Sequence, residues 1–536
     1  MRDHRETPEA PEESLTAFIE AEATRRGGSA ALIAAGETMS FAALDEAARR
    51  VAGALRDLGV KPGERIAFYL PNIPFFLVLA FAAWRLGAIV VCVNTRYRAS
   101  ELAYLLAATR PRLLAFAPGF AGIDFAAILA GIDAEFLSSL ETLLVCGEGR
   151  REPLRLRATA VVSDSELAAA APDHGAPASA EAHAILFPTS GTTKAPKLAL
   201  HRQGSIVRHA RDVARAMVFD APAAVTLSAL PLGAVFGFSE ALAALAGGGP
   251  QVLMARWDGA EAARLVDAHR VTHMLATDDM LSEMLAASCE ERPFRSLRRC
   301  GFALFNPAIA GFLAEGERRG LPLVGVYGMS EILAAFSVRQ PEDPAPGRLR
   351  PGGVPVSPQA RVRVRDEAAG TLLPPGREGL IEIRAPSAML GYWQDGKVGR
   401  DAFTQDGYLR TADYGFLEAE GGFVYLARAG DVLRLGGFLV APAEVEAHLE
   451  THPAVKGAQV VGVLTREGPR PVAFVLLREG AAFDEDEIRR FCAAALARYK
   501  IPERILPLSE YPVTLSANGT KIRREKLRAM AQALFE

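Results

Sequence analysis

Thr189-Ser-Gly-Thr-Thr-Lys-Ala-Pro-Lys197 directly follows the apolar run Ala184-Ile-Leu-Phe187, which reads as a buried strand end. A strand that runs into hydroxyls around a glycine suits an anion. Gly191 frees the backbone, and N–H groups together with Ser and Thr hydroxyls can wrap phosphate oxygens. Lys197 adds a point charge for the same anion. The GxxxxGK[ST] spacing of a Walker loop is absent there. A plain polar turn has the same composition, so the run acquires meaning from what accompanies it.

Further segments follow in a fixed order. They are Pro231-Leu232 with Gly237, Tyr327-Gly-Met-Ser-Glu331, Gly391-Tyr-Trp393, Tyr408-Leu-Arg-Thr-Ala-Asp413 and Arg428 through Asp431 to Gly436-Gly437. Pro442-Ala-Glu-Val-Glu446 and Asn518-Gly-Thr-Lys521 complete the series. Together with the first run, which is close to TSGTTGxPKG, they resemble the signatures of the adenylate-forming superfamily: acyl-CoA synthetases, coumarate ligases, luciferases and peptide-synthetase adenylation domains. The resemblance covers nearly the whole chain. It implies an α/β fold with a large N-terminal AMP-binding domain, residues 1–429, made of mostly parallel α/β sheets and a β-rich subdomain. A small mobile C-terminal α/β domain, residues 430–536, would follow.

The residues themselves support that architecture. A chain of 536 residues exceeds a single core. Ser40 caps a helix with the apolar face Leu44, Val51, Leu55 and Leu58, stopped by Gly59. The strand Arg65–Leu70, a helix from about Pro74 and the strand Ala88–Val93 then read as βαβ units of a parallel sheet. After about residue 355, short alternating strands appear at 360–365, 380–384 and 422–427. From about 430 a second α/β unit begins. Its helix after Asp484 is expected to bury Ile488, Phe491, Cys492, Ala495 and Tyr499, ending at Lys500-Ile-Pro502.

Charge and composition exclude other classes. With 60 basic and 63 acidic residues the net charge is −3, which offers nothing to nucleic acid or an anionic membrane. The stretch 75–93 is broken by Arg85 and Gly87. The stretch 221–239 contains Pro222, Pro231, Gly233 and Gly237, so neither is a clean run of the ~20 apolar residues that a spanning helix needs. Five scattered cysteines without a CxxC pair fit reduced thiols in the cytoplasm, and the polar, acidic N-terminus is unlike a signal peptide.

The resemblance implies ATP-dependent activation of a carboxylic acid to acyl-AMP with pyrophosphate release, then thioester formation with coenzyme A. ATP, Mg²⁺ and CoA are the implied cofactors. Such chemistry joins two anions, so cations and hydrogen-bond donors are needed more than a covalent nucleophile. Lys521 is implied as the lysine that bridges carboxylate and α-phosphate. Glu331 is implied as the Mg²⁺ ligand, and the Ser330 hydroxyl as an α-phosphate contact. Thr189, Ser190, Gly191, Thr192, Thr193 and Lys197 would hold the phosphates. Tyr327 and Gly328 would meet the adenine, and Asp413 and Arg428 the ribose. Gly436 and Gly437 would pass the pantetheine arm, with Gly430 as hinge. Phe236, Gly237, Phe238 and Phe302 are expected around the acyl group, which favours a small, medium-chain or aromatic acid.

The chain also departs from the family pattern. Lys194 and Leu198 replace glycines, Ala234 stands where many members have histidine, and Ala412 precedes Asp413 where glycine is common. Gly430 replaces a hinge Lys or Asp, and Pro512 is followed by Val-Thr-Leu-Ser-Ala-Asn-Gly-Thr before Lys521 where P-x-T-x-S-G-K is usual. Three alternatives stay open: an enzyme loading a carrier protein in trans, a luciferase-like oxygenase, and a degenerate nucleotide-binding regulator. The acid, the pathway and the oligomeric state are not legible.

Overall fold

The computed structural model describes residues 12–147, 160–189, 196–304, 311–345, 347–419, 421–431, 433–435, 438–440, 442–465, 468–496, 498–516 and 519–535. Among them two large sheets form, of nine and thirteen strands, with a smaller α/β unit near the C-terminus.

In the nine-stranded sheet Arg65–Tyr69, Ile89–Cys92, Leu113–Phe116, Thr142–Val145, Ala160–Ser163 and His183–Pro188 run parallel. Their connections are formed largely by amphipathic or apolar helices. In Phe41–Asp57, Ser40 Oγ accepts the Ala43 N–H at 3.1 Å. Leu44, Val51 and Leu55 are fully buried along one stripe, and Gly59 leaves at φ +78°. The helix Pro74–Arg85 starts on its proline, whose missing N–H is no loss at the first helical position. It is buried nearly all round, and its one charge, Arg85, pairs with Asp173 at 2.8 Å and Glu20 at 2.7 Å. Trp84 of that helix and Phe187 of the sheet both meet Phe238 edge-on, at 5.9 and 5.3 Å. Phe238 belongs to Val235–Gly247, a helix lying on the other sheet, so the two layers share one core.

The thirteen-stranded sheet has a parallel block: Gln251–Leu253, Thr226–Ser228, His273–Thr277, Arg299–Ala303 and Leu323–Tyr327. The short β-strands foreseen after residue 355 do not form a separate sheet. Ser337–Val338 pairs antiparallel with Leu323–Tyr327 and satisfies its open edge. Gly352–Pro355, Phe423–Arg428, Leu409–Leu417, Gly379–Arg384 and Arg361–Arg365 continue outward from there.

The C-terminal unit packs Pro442–Glu450 and Glu485–Ala495 with the strands Val455–Thr465, Gly468–Leu477 and Arg504–Leu508. Asp484 caps Glu487 N–H at 2.9 Å, as its spacing foretold. The helix ends a turn earlier than expected: Leu496 turns extended (φ −98°, ψ 148°) and packs inward, which leaves Ala495 exposed. The side chain of Tyr499 lies outside the described residues. All five cysteines are free, and only Cys289 is exposed. No described helix is long and apolar enough to cross a membrane.

Candidate active site

His183–Pro188 and Leu198–Arg202 form an antiparallel hairpin, and Thr189 N–H donates to Lys197 O at 2.7 Å. The described ends of the hydroxyl-rich run are therefore held by a hairpin, at the end of a buried parallel strand. Thr189 and Lys197 lie at its base. Ser190, Gly191, Thr192 and Thr193, with Lys194, lie outside the described residues.

One cleft of about 2270 Å³ gathers the motifs that the sequence separates. Thr189, Lys197, Tyr327, Gly328, Ser330, Glu331, Asp413, Arg428, Gly430 and Phe236 all line it. Tyr327 ends the last parallel strand of the larger sheet. Its hydroxyl donates to Asp413 Oδ2 at 2.6 Å, while its ring packs against Phe423 (5.1 Å) and Tyr425 (5.6 Å). Asp413 and Arg428 are directly opposed cross-strand partners, with Arg428 Nη1 at 3.1 Å from Asp413 Oδ1. Burial pushes the Asp413 carboxyl up, against the opposing pull of Arg428 and Tyr327. Oδ1 accepts no hydrogen bond among the described residues; its one partner there is the ion pair with Arg428, whose Nη1 donates to Thr411 O at 3.0 Å. Ala412 just before it sits at φ +58°, where glycine is at ease and alanine is strained by roughly 1–2 kcal/mol. That is the physical content of the departure at this position.

Glu331, 6% exposed, stands on the short turn Ser330–Ile332. Its Oε1 accepts the Tyr392 hydroxyl at 2.7 Å, and Lys197 Nζ lies 4.9 Å from the centre of the same Tyr392 ring. Tyr392 belongs to the segment Gly391-Tyr-Trp393, to which the sequence alone assigns no role. Nothing in its local sequence announces Glu331, since the contact depends on Gly391–Gln394 pairing with Leu198–Arg202. Below, His201 Nε2 donates to Ser330 O at 2.8 Å; burial pushes this imidazole down to about 4, so it is neutral. Among the described residues no cluster of three or more His, Cys, Asp or Glu could cage a metal. One carboxylate, Glu331, on the same tyrosine as a lysine nevertheless fits Mg²⁺, which takes few protein ligands.

The acyl-side expectations divide. Phe236 lines the cleft with Val235, Ala303, Leu304, Ala334 and Ala335. Phe302 does not: it is 1% exposed and packs edge-on to Phe312, because its strand turns Phe302 to the core and the next residue, Ala303, to the cleft. Phe238 is likewise core, held by Trp84 and Phe187. Gly237 is required by close packing, since a Cβ there would sit 2.5 Å from the carbonyl oxygens of Leu230 and Pro231. Lys521 lies on Gly519–Ile522, opposite Thr514, and its side chain is outside the described residues. Gly436 and Gly437, between the paired strands Leu433–Leu435 and Phe438–Val440, also lie outside them. The Gly430 carbonyl accepts Arg528 Nη2 at 2.9 Å.

Residues 19–393 match the model of the AMP-binding enzyme, and residues 444–518 that of its C-terminal domain. The chain belongs to the AMP-binding enzyme family. This AMP-binding enzyme is 31% identical to triostin synthetase I of Streptomyces triostinicus, over 95% of this chain and 92% of that protein. It is 32% identical to a 2-succinylbenzoate–CoA ligase of Geobacillus kaustophilus, over 92% and 93%. Among solved structures it is similar to a benzoate CoA ligase from Burkholderia xenovorans LB400: 28% identity, TM-score 0.78, 96% of this chain and all of that one.

Proposed function

We propose that the cleft activates a small aromatic acid, and that the residues gathered there divide the work as follows. The chain is an AMP-forming acid–thiol ligase: it converts a carboxylic acid and ATP to acyl-AMP and pyrophosphate, then transfers the acyl group to coenzyme A. The observation that carries the reading is one cleft whose lining holds both a charged set, Asp413, Arg428, Glu331 and Lys197, and an uncharged set, Val235, Phe236, Ala303, Leu304, Ala334 and Ala335. The first set is assigned to the nucleotide end and the second to the acid end.

ATP lies with its ribose hydroxyls on Asp413, whose two carboxylate oxygens suit a diol. Its adenine lies near Tyr327 and Gly328, and its phosphates in the loop from Thr189 to Lys197. Glu331 would hold Mg²⁺, which when bound would supply positive charge against the phosphate oxygens. A carboxylate oxygen of the acid attacks the α-phosphorus; the new O–P bond forms as the bond to the pyrophosphate leaving group breaks. Lys521 and Ser330 stabilise the charge that accumulates there. The CoA thiolate, reaching past Gly436 and Gly437, attacks the acyl carbon and AMP leaves. Residues 430–536 turn on Gly430 between the two steps.

An uncharged end favours an uncharged acyl body, and one similar solved structure is named for an acid of that kind, benzoate. Free, mostly buried thiols fit a reducing cytoplasm. Mass spectrometry after incubation with ATP, Mg²⁺ and a library of carboxylic acids, with and without CoA, tests all of this. A CoA-dependent aryl thioester is expected. Adenylate or AMP with no thioester would transfer the second step to a carrier protein, and thioesters of straight chains alone would overturn the aromatic assignment.

A further inference from the structure

One stretch of the cleft wall is strained. Leu333, Ala334 and Ala335, two to four residues past Glu331, lie consecutively in the left-handed region at φ 65°, 51° and 38°. Three successive non-glycine residues there persist only where the surroundings hold them. Gly328 presses on the turn from one side: a Cβ on it would lie 2.6 Å from Ala334. From behind, two buried side chains take hold of its carbonyls. Ser239 Oγ, on Val235–Gly247, donates to Leu333 O, and His209 Nε2, on Gln203–Ala216, donates to Ala334 O at 2.9 Å. Each is only 3% exposed. Burial keeps the His209 ring neutral, which leaves one N–H to give, and it is given to this turn.

We infer that His209 and Ser239 are positioning residues for the acid: they fix the left-handed turn 333–335 so that Ala334 and Ala335 form a wall of the acyl end. Neither reaches the cleft lining, so both act through the backbone they hold. The inference rests on assigning that end of the cleft to the acid.

Ser239→Ala, His209→Leu and His209→Gln separate this role from general packing. Backbone amide exchange across 333–336 reads the turn without any substrate, and KM values for benzoate and ATP read the site. Loss of either donor is expected to accelerate exchange in that segment and raise the benzoate KM about three- to tenfold, with the ATP KM unchanged. Glutamine, whose amide can offer a donor like Nε2, is expected to restore both. If His209→Leu does not fold, Ser239→Ala decides alone. Wild-type exchange and wild-type KM in folded Ser239→Ala would overturn the inference. A wild-type enzyme that makes no adenylate from any acid would instead overturn the assignment of the cleft, and the exchange measurement would still judge the turn.

Discussion

The Tyr392 hydroxyl donates to Glu331 Oε1 at 2.7 Å while the face of its ring carries the Lys197 ammonium 4.9 Å from its centre. One phenol thus sets the carboxylate proposed for Mg²⁺ and the lysine proposed for phosphate relative to each other. Tyr392→Phe keeps the ring under Lys197 and removes only the donor to Glu331. A hydrogen bond to a charged group is worth about 1.5–3 kcal/mol, so the Mg²⁺ concentration for half-maximal adenylation is expected to rise about tenfold. Titrating Mg²⁺ in a pyrophosphate-exchange assay measures it. An unchanged or lower requirement would mean that the phenol only competes with the metal.

Legibility followed a physical division. Tyr327, Glu331, Asp413 and Arg428 could be read as one group because each sits in a run of distinctive residues, and the structure brings all four to one cleft. Phe302 was misread as an acyl-pocket residue because both faces of its strand are apolar. Alternation says that Phe302 and Ala303 point oppositely, and only the packing against Phe312 says which faces the core. Tyr392 and His209 were invisible for another reason. Each acts through a partner more than 60 positions away in the chain, and no local pattern encodes that pairing.

Two sets of buried groups are expected to pull stability in opposite directions across one acidic window. Burial pushes His201, His209 and His273 down to about 4. The unfolded chain then takes up protons first, so stability present above pH 6.5 is lost as pH falls from 6.5 to 4, by about 3 kcal/mol for fully buried His201. Glu450 is the reverse case. Burial raises its carboxyl to about 7, so stability present below 4.5 is lost as pH rises through 7. Urea midpoints are expected to rise less steeply from pH 4 to 6.5 in His201→Gln, and more steeply between 4.5 and 6.5 in Glu450→Gln. Slopes identical to wild type would show that these groups titrate as they do in water.

The two half-reactions are expected to separate by substitution. Lys521→Ala should lose pyrophosphate exchange yet still convert supplied acyl-AMP and CoA to thioester. Equal loss of both would remove Lys521 from the first step. At Gly430 an added Cβ meets nothing within 4 Å, so the position tolerates side chains. Gly430→Ala should therefore retain both steps. Gly430→Pro fixes φ near −65° and restricts Ala429 as well, and is expected to keep one half-reaction while slowing overall turnover at least tenfold, to about a tenth of wild type or less. Stopped-flow assays of each step read this, and full turnover in Gly430→Pro would place the hinge elsewhere.

Acid selection should answer to Phe236 and ignore Phe302. Phe236 lines the uncharged end of the cleft, whereas Phe302 packs on Phe312 in the core. Phe236→Ala removes a ring from the acyl wall and makes room for a longer, flexible chain. Pocket contacts of this size are worth about 1–3 kcal/mol between competing substrates. The ratio of kcat/KM for octanoate over benzoate is therefore expected to rise about tenfold or more. Phe302→Leu should leave that ratio alone and lower the urea midpoint, because it opens a gap in a close-packed core. A shifted ratio in Phe302→Leu with none in Phe236→Ala would reverse the assignment of the two rings and return the acyl group to the strand Arg299–Ala303.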